Sequence, residues 1–266
     1  METAQYKTPQ NLTARSLLHA KYGTNTYPWH KWLFDQYTFP EAAHIIEFGC
    51  GTGDLWFHNR DKIKKDWKIL LTDRSEGMVQ VAEERLGTVS CSMEFETADL
   101  DTGEKGNELY TTCIANHVLY HVPDVSRALK NACSLLQQNG CFYASTVSET
   151  NMHEMREIVG TFTGNDNFNK INNNVIARFS LDNGLEQLKK YFKKVQIREY
   201  EDALEVTDPE DFVNYVVSCN NLYPGITVLE ENKVHDFREY IRGIIKKNGR
   251  IHISKKSGTF IAQSAY

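Results

Sequence analysis

No run of apolar residues in this 266-residue chain approaches the length of a membrane span, which removes proteins that cross a bilayer as helices. The first residues, Met1-Glu2-Thr3-Ala4-Gln5, carry no basic-then-apolar signal, so the cytosol is the expected compartment. No Cys-x-x-Cys occurs. The six cysteines lie scattered at 50, 91, 113, 133, 141 and 219, several in apolar segments, the pattern of buried reduced thiols rather than of disulfides or a zinc site. Positive charge is not in excess: the formal net charge is −5, which argues against broad nucleic-acid binding. Internal repeats and low-complexity linkers are missing too, so domain boundaries are soft. What remains is an ordinary globular composition, 41% apolar and 24% charged, at a length that suits one large α/β domain or a core with a smaller cap. The charge is uneven, with seven carboxylates from Glu199 to Asp211 against six Lys/Arg and no acid from Ile241 to Tyr266. The simplest expectation is two solvated surfaces that face one another.

The chain is organised around His44-Ile45-Ile46-Glu47-Phe48-Gly49-Cys50-Gly51-Thr52-Gly53-Asp54. An apolar run holding one carboxylate stops at three glycines spaced two apart, and helix-compatible residues follow. That reads as a buried strand, a tight turn and a helix. Glycine allows positive φ and a close backbone approach to a ligand, and a helix start beyond it offers free N–H groups. The spacing is not that of the dinucleotide fingerprint, whose third glycine stands three residues after the second, so a dehydrogenase is disfavoured. Nor does a Gly-Lys-Ser/Thr close the turn as in a phosphate loop.

Further strands are expected at Trp67–Thr72, Glu94–Ala98, Tyr110–Ala115 and Cys141–Val147, with later ones at Val195–Tyr200 and Thr259–Ser264. Helices are expected from Asp54 to about Lys64, from a Ser75 cap to about Leu86, from near Pro123-Asp124 to a stop at Asn139-Gly140, and over Leu185–Phe192. Strands joined by helical crossovers imply a Rossmann-like, mostly parallel seven-stranded sheet with helices on both faces. Residues 36–150 are the expected α/β core, completed by 181–206 and 250–266. Two additions, 151–180 and 207–249, are expected as a helical cap over the carboxyl edge of the sheet, the second opening with the capping-box pattern Thr207-Asp208-Pro209-Glu210. Residues 1–35 form an N-terminal helical segment expected to roof the site. Within it Arg15, His19 and Tyr22 are spaced to share one helix face. That face suits a ligand carboxylate, and a solvated helix edge explains it nearly as well.

Several chain features then line up. Asp73 ends the second strand, 22 residues after Gly51, where a ribose diol would be met. Met78 lies in the first turn of the next helix. Ala98-Asp99-Leu100 closes the third strand, and Asn116-His117-Val118-Leu119-Tyr120-His121 follows the fourth. Together with Glu-x-Gly-x-Gly-x-Gly, this order resembles the class I S-adenosylmethionine-dependent methyltransferases, and most closely the small-molecule type that includes ubiquinone and menaquinone biosynthesis. The resemblance covers about 100 residues, from His44 to Val147, and extends more weakly to the end. It implies S-adenosylmethionine as cofactor and S-adenosylhomocysteine as product. Gly49 and Gly51 would admit the methionyl part, and Glu47 would orient it. Asp73 would take the ribose hydroxyls with Arg74 beside it, and Asp99 the adenine amino group. Met78 and Leu100 would flank the ring. The backbone near Asn116 would border the methionyl amine and the transferring methyl. Apart from the resemblance, the shared helix face of Arg15, His19 and Tyr22 makes them candidates for the cofactor carboxylate.

The expected function is methyl transfer to an O, N or C nucleophile of a small molecule by in-line displacement. Two alternatives stand beside it: an RNA or protein methyltransferase docking through the basic stretch 242–256, and a cofactor-binding protein without catalysis. The fourth strand lacks the Asn/Asp-Pro-Pro-Tyr that marks one family of nucleic-acid enzymes, which disfavours a flipped base as substrate. His121 and His117 are the catalytic candidates, as bases for an acceptor proton. His121 is preferred because Pro123 fixes the chain just beyond it, and ordinary polar surface is the alternative for both. A metal site is not expected, since no third ligand accompanies their i,i+4 spacing.

Overall fold

A computed structural model describes residues 9–87, 89, 91–102 and 109–265, with side chains from residue 15 onward. The start of the expected N-terminal segment, residues 1–8, and Tyr266 lie outside the described residues. Seven strands form one sheet: β1 His44–Phe48, β2 Lys68–Asp73, β3 Ser92–Thr97, β4 Tyr110–Asn116, β5 Leu136–Val147, β6 Phe192–Val206 and β7 Ile251–Ala265. Their order is β3-β2-β1-β4-β5-β7-β6. The first five are parallel neighbours, and β7 runs antiparallel to β5. The helices are α1 Pro9–Tyr22, α2 Trp29–Asp35, α3 Asp54–Phe57, α4 Glu76–Leu86, α5 Val125–Ser134, α6 His153–Thr163, α7 Asn167–Val175, α8 Gly184–Leu188, α9 Pro209–Ser218 and α10 Val234–Asn248. The described residues thus have the seven-stranded, mostly parallel α/β architecture that the crossover pattern predicts. None of these helices is long and apolar enough to cross a membrane.

Two compact units divide the chain. One holds residues 27–148, 177–200 and 257–266, and the other 1–26, 149–176 and 201–256, so β6 and β7 contribute residues to both. In the sheet-bearing unit, neighbouring strand residues go to opposite apolar clusters, as a period of two requires. Ile46, Leu70, Cys113 and Phe142 pack with Ala128, Leu129 and Ala132 of α5. Ile45, Leu71, Ile114 and Tyr143 pack with Leu33 and Phe34 of α2, Trp56 of α3 and Leu86 of α4. Burial on both faces explains why β1, β2 and β4 read as near-continuous apolar runs. Glu47 has the parity of Ile45 and therefore lies in the second apolar layer, only 2% exposed. That placement governs its chemistry.

Several element bounds differ from expectation for local reasons. The helix after the glycines is a single turn, α3, followed by a 3₁₀ turn at Arg60–Lys62. Asn59 ends it by donating from Nδ2 to the Leu55 carbonyl at 2.8 Å, side chain competing with helix ladder. Helix α5 stops at Ser134 rather than at Asn139-Gly140, because Leu136 already pairs with Tyr110 while Cys141 pairs with Thr112. Residues 137–140 are therefore a bulge inside β5, not a helix stop. Strands β6 and β7 run to 15 residues each, far beyond the apolar segments that announce them. The cap of α9 is Asp208, whose carboxylate accepts from Glu210 N at 2.9 Å with Pro209 in the first turn, so no Thr207 capping box forms.

The second unit has a separate core, in which Leu18 and Tyr22 of α1 pack with Met155, Val159, Phe212, Val213, Phe237 and Ile241. Its acidic and basic stretches meet. Glu205 pairs with Arg250 at 2.7 Å and His252 at 2.9 Å, Asp202 pairs with Lys255, and Glu210 with Arg238 at 2.6 Å. Arg250, His252 and Lys255 of the basic stretch are thus paired with carboxylates of the acidic one.

Candidate functional site

The chain leaves β1 through Gly49, Gly51 and Gly53, all with positive φ (67°, 55° and 74°). The three have different neighbours. A Cβ at Gly49 would lie 2.2 Å from Val118 Cγ2, and one at Gly53 2.6 Å from Leu86 Cδ1, so both are needed for packing. A Cβ at Gly51 would meet nothing within 4 Å. The open space of the turn is at its middle glycine.

Asp73, at the end of β2, faces this space. Its Oδ2 accepts from Gly51 N at 3.0 Å and its Oδ1 from Ser75 N at 2.9 Å, which fixes the carboxylate while leaving lone pairs on both oxygens. Arg74 is exposed beside it, and Met78 is half-buried in the first turn of α4. Beyond β3, Asp99 is half-buried with Oδ1 accepting from Asp101 N at 3.0 Å, and Leu100 is buried. Asp101 beside them is clamped by Arg127, Nε at 2.8 Å and Nη2 at 2.6 Å, which anchors that loop to α5.

Glu47 is the centre of a buried network. Trp56 Nε1 donates to Oε2 at 2.6 Å, and Asn116 Nδ2 donates to Oε1 at 3.0 Å. Tyr37 Oη in turn donates to Asn116 Oδ1 at 2.8 Å. Burial pushes the Glu47 carboxyl up to about 7, with the charges of Asp73 and Asp54 adding to the rise and the bonds from Trp56 and Asn116 opposing it. Asn116 is thereby held at the end of β4, its amide orientation set from both sides. On the outer side of the turn, Arg85 Nη1 donates to Thr52 O at 2.6 Å and Asp54 Oδ1 at 2.8 Å, tying the glycine turn to α4.

His117 follows Asn116 with φ of 54°, a left-handed conformation for a non-glycine residue. Its N–H donates to Ser145 O at 3.0 Å, and its ring lies 5.4 Å from Trp29. His121 closes the 3₁₀ turn Leu119–His121, its N–H donating to Val118 O at 2.8 Å and its ring 4.5 Å from Tyr120. Glu47, Gly49, Gly51, Asp73, Arg74, Met78, Asp99, Leu100, Asn116, His117 and His121 thus all belong to the sheet-bearing unit, at or beyond the carboxyl ends of β1 to β4.

Arg15, His19 and Tyr22 belong to the other unit. There Tyr22 Oη donates to Asp211 at 2.6 Å, shared with Lys21 Nζ, and the His19 ring meets Tyr215 edge-on at 5.8 Å. Tyr37, Trp56 and Arg85 escape a motif-based reading. For Trp56 the usable signal is that a buried indole requires an acceptor and a buried carboxylate requires donors, nine residues apart here.

The methyltransferase-domain family matches residues 40–196, more than half of the chain. Among curated proteins, the ubiquinone biosynthesis O-methyltransferase of Coxiella burnetii is 25% identical over 131 residues, 49% of this chain and 54% of that protein. The chain therefore spans about half the length of the curated relatives it matches first. Among solved structures, a putative methyltransferase from Bacillus halodurans aligns with TM-score 0.59 at 13% identity, covering 90% of this chain and 99% of that one. A phosphoethanolamine N-methyltransferase 2 from Haemonchus contortus, solved with phosphomonomethylethanolamine and S-adenosylhomocysteine, aligns with TM-score 0.58 at 12% identity over 99% of this chain and 58% of its own.

Proposed function

Since the chain belongs to the methyltransferase-domain family, among the class I S-adenosylmethionine-dependent methyltransferases, we propose that it moves a methyl group from S-adenosylmethionine to an oxygen, nitrogen or carbon nucleophile of a small molecule. The observation that carries this reading is the pairing of the open space at Gly51 with an Asp73 carboxylate held in place by Gly51 N and Ser75 N.

The residues present fit that cofactor. A side chain at position 51 would fill the space, and glycine leaves it clear. Asp73 has acceptor capacity for the two ribose hydroxyls. Asp99 would take the adenine amino group, with Met78 and the buried Leu100 against the ring and Arg74 at its exposed edge. Glu47 and Asn116 would border the methionyl end, where a carboxylate and a fixed amide suit an ammonium and its neighbours. When bound, the cofactor supplies a methyl already activated by a sulfonium. What the protein adds is chiefly placement of the nucleophile in line, and orientation of this kind is worth about 7–11 kcal/mol in well-arranged systems. For a hydroxyl or amine acceptor, His121 would take the departing proton on an imidazole nitrogen while the new bond to carbon forms and the carbon–sulfur bond breaks. His117, directly after Asn116, would border the cofactor or share that role.

A small acceptor suits the names of relatives, a ubiquinone biosynthesis O-methyltransferase and a phosphoethanolamine N-methyltransferase of Triticum aestivum. It also suits the charge distribution. The basic stretch 242–256, which an RNA or protein substrate would need as a docking strip, has Arg250, His252 and Lys255 engaged by Glu205 and Asp202. The test is turnover of methyl-labelled S-adenosylmethionine with a metabolite extract. Label is expected in the low-molecular-weight fraction. Label confined to RNA or protein, or no turnover at all, would overturn the reading.

A further inference from the structure

The turn that leaves β3 is closed on itself. Asp101 N donates to Asp99 Oδ1 at 3.0 Å, while Thr102 donates to the Asp99 carbonyl through N at 3.2 Å and through Oγ1 at 3.0 Å. Asp99 Oδ2 has no hydrogen-bond partner among the described residues, so one carboxylate oxygen is open to a donor from outside the chain. These local bonds shape the turn. They do not say which way it points.

Helix α5 supplies that direction. Arg127 and Asn131 stand four residues apart on it, a spacing that puts both on one face. Arg127 takes the Asp101 carboxylate with two parallel bonds, Nε to Oδ1 at 2.8 Å and Nη2 to Oδ2 at 2.6 Å. Asn131 Nδ2 donates to Leu100 O at 2.9 Å, and the Leu100 side chain is buried with Ala128 and Leu129 of the same helix. Asp101 is only 7% exposed, so its charge depends on the guanidinium for compensation. Asp124 and Asp99 act on that guanidinium electrostatically as well. A single bond would let the turn pivot, whereas a planar fork and a third bond to the neighbouring carbonyl define its orientation. Without Arg127, the Asp99 and Asp101 carboxylates would face each other two residues apart with no cation between them.

We infer that Arg127 and Asn131 are positioning residues for the base of the cofactor, a role that rests on the methyltransferase reading. By orienting the turn they aim the Asp99 carboxylate at the adenine amino group. The preference for adenine over a base with an oxygen at that place is therefore set from α5, by residues that do not touch the ligand.

Calorimetry on the full chain compares S-adenosylhomocysteine with S-inosylhomocysteine, whose base carries a carbonyl oxygen in place of the amino group. A carboxylate accepts from the amino group and repels the oxygen. Wild type is expected to prefer the adenine ligand by about tenfold or more. In Arg127→Gln and in Asn131→Ala, affinity for S-adenosylhomocysteine should fall while that for S-inosylhomocysteine holds, so the preference narrows. Arg127→Gln leaves Asp101 buried and unpaired, so the double variant Arg127→Gln/Asp101→Asn guards against simple misfolding, and melting curves check every protein. A general loosening of the fold would weaken both ligands by the same factor. Equal weakening, an undiminished preference in the double variant, or a wild type that binds both ligands equally would overturn the inference and leave the methyltransferase reading standing. Failure of wild type to bind S-adenosylhomocysteine at all would overturn both.

Discussion

Replacing Glu47 by glutamine isolates the effect of burying a carboxylate in an apolar layer. In the folded chain this carboxyl titrates near 7, against 4.5 for the ordinary group. A raised folded value means that the native state binds the proton more tightly than the unfolded chain. The stabilisation is complete below about 4.5 and is lost as pH rises through about 7. Between pH 5 and pH 8 the linkage relation gives a loss of about 2–3 kcal/mol in folding free energy from this one group. Glutamine does not titrate, so the variant lacks that slope. It keeps an acceptor for Asn116 Nδ2 but turns an amide N–H₂ toward Trp56 Nε1, a donor–donor contact costing about 1–3 kcal/mol at every pH. The variant should therefore be less stable than wild type at pH 5, and the gap should close or reverse by pH 8. Urea midpoints for both proteins at several pH values measure this directly. A difference that stays constant across the range would refute the assignment of the elevated carboxyl to Glu47.

Asp73→Ala should weaken S-adenosylhomocysteine binding by about 1.5–3 kcal/mol, or roughly 10- to 150-fold, by calorimetry. Asp99→Ala should cost less, and an unchanged affinity in the first variant would remove Asp73 from the site. Gly51→Ala should leave the fold intact apart from about 1–2 kcal/mol of left-handed backbone strain, yet lose cofactor affinity. Gly49→Ala should lower the melting temperature sharply, because its Cβ meets Val118. Equal behaviour of the two would show that neither position faces a ligand. His121→Ala should slow methyl transfer by about 100-fold or more with cofactor affinity almost unchanged. A full rate with an unaltered pH profile would mean that positioning alone drives the reaction.

The sheet was legible because its strands are buried on both faces. Ile45 to Phe48 and Ile69 to Thr72 have no exposed alternation to obscure them. The positions of Asp73, Asp99 and the glycines were legible because each lies at or just beyond a strand end. The outer parts of β6 and β7 were not, since Lys193, Lys194, Gln196 and Arg198 give β6 a polar face that reads as loop. Tyr37 and Trp56 were hidden for another reason. Their partners, Asn116 and Glu47, lie 79 and 9 residues away, and only the register of β1 beside β4 brings the three elements together.

The strand order has a consequence for biosynthesis. β7 lies between β5 and β6, so β6 has no strand neighbour until residues 251–265 have left the ribosome. Through that interval β5 keeps an open edge, and β6, apart from the bridge of Leu204 to Gly23, lacks a ladder partner. Open edges of this kind invite pairing with other chains. The glycine turn and the Glu47 network, assembled from β1, β4 and α3, need neither strand as a direct partner. The nascent chain can therefore hold the glycine turn and the Glu47 network formed while the place of β7 in the sheet stands vacant, exposed to misassembly until β7 enters between β5 and β6.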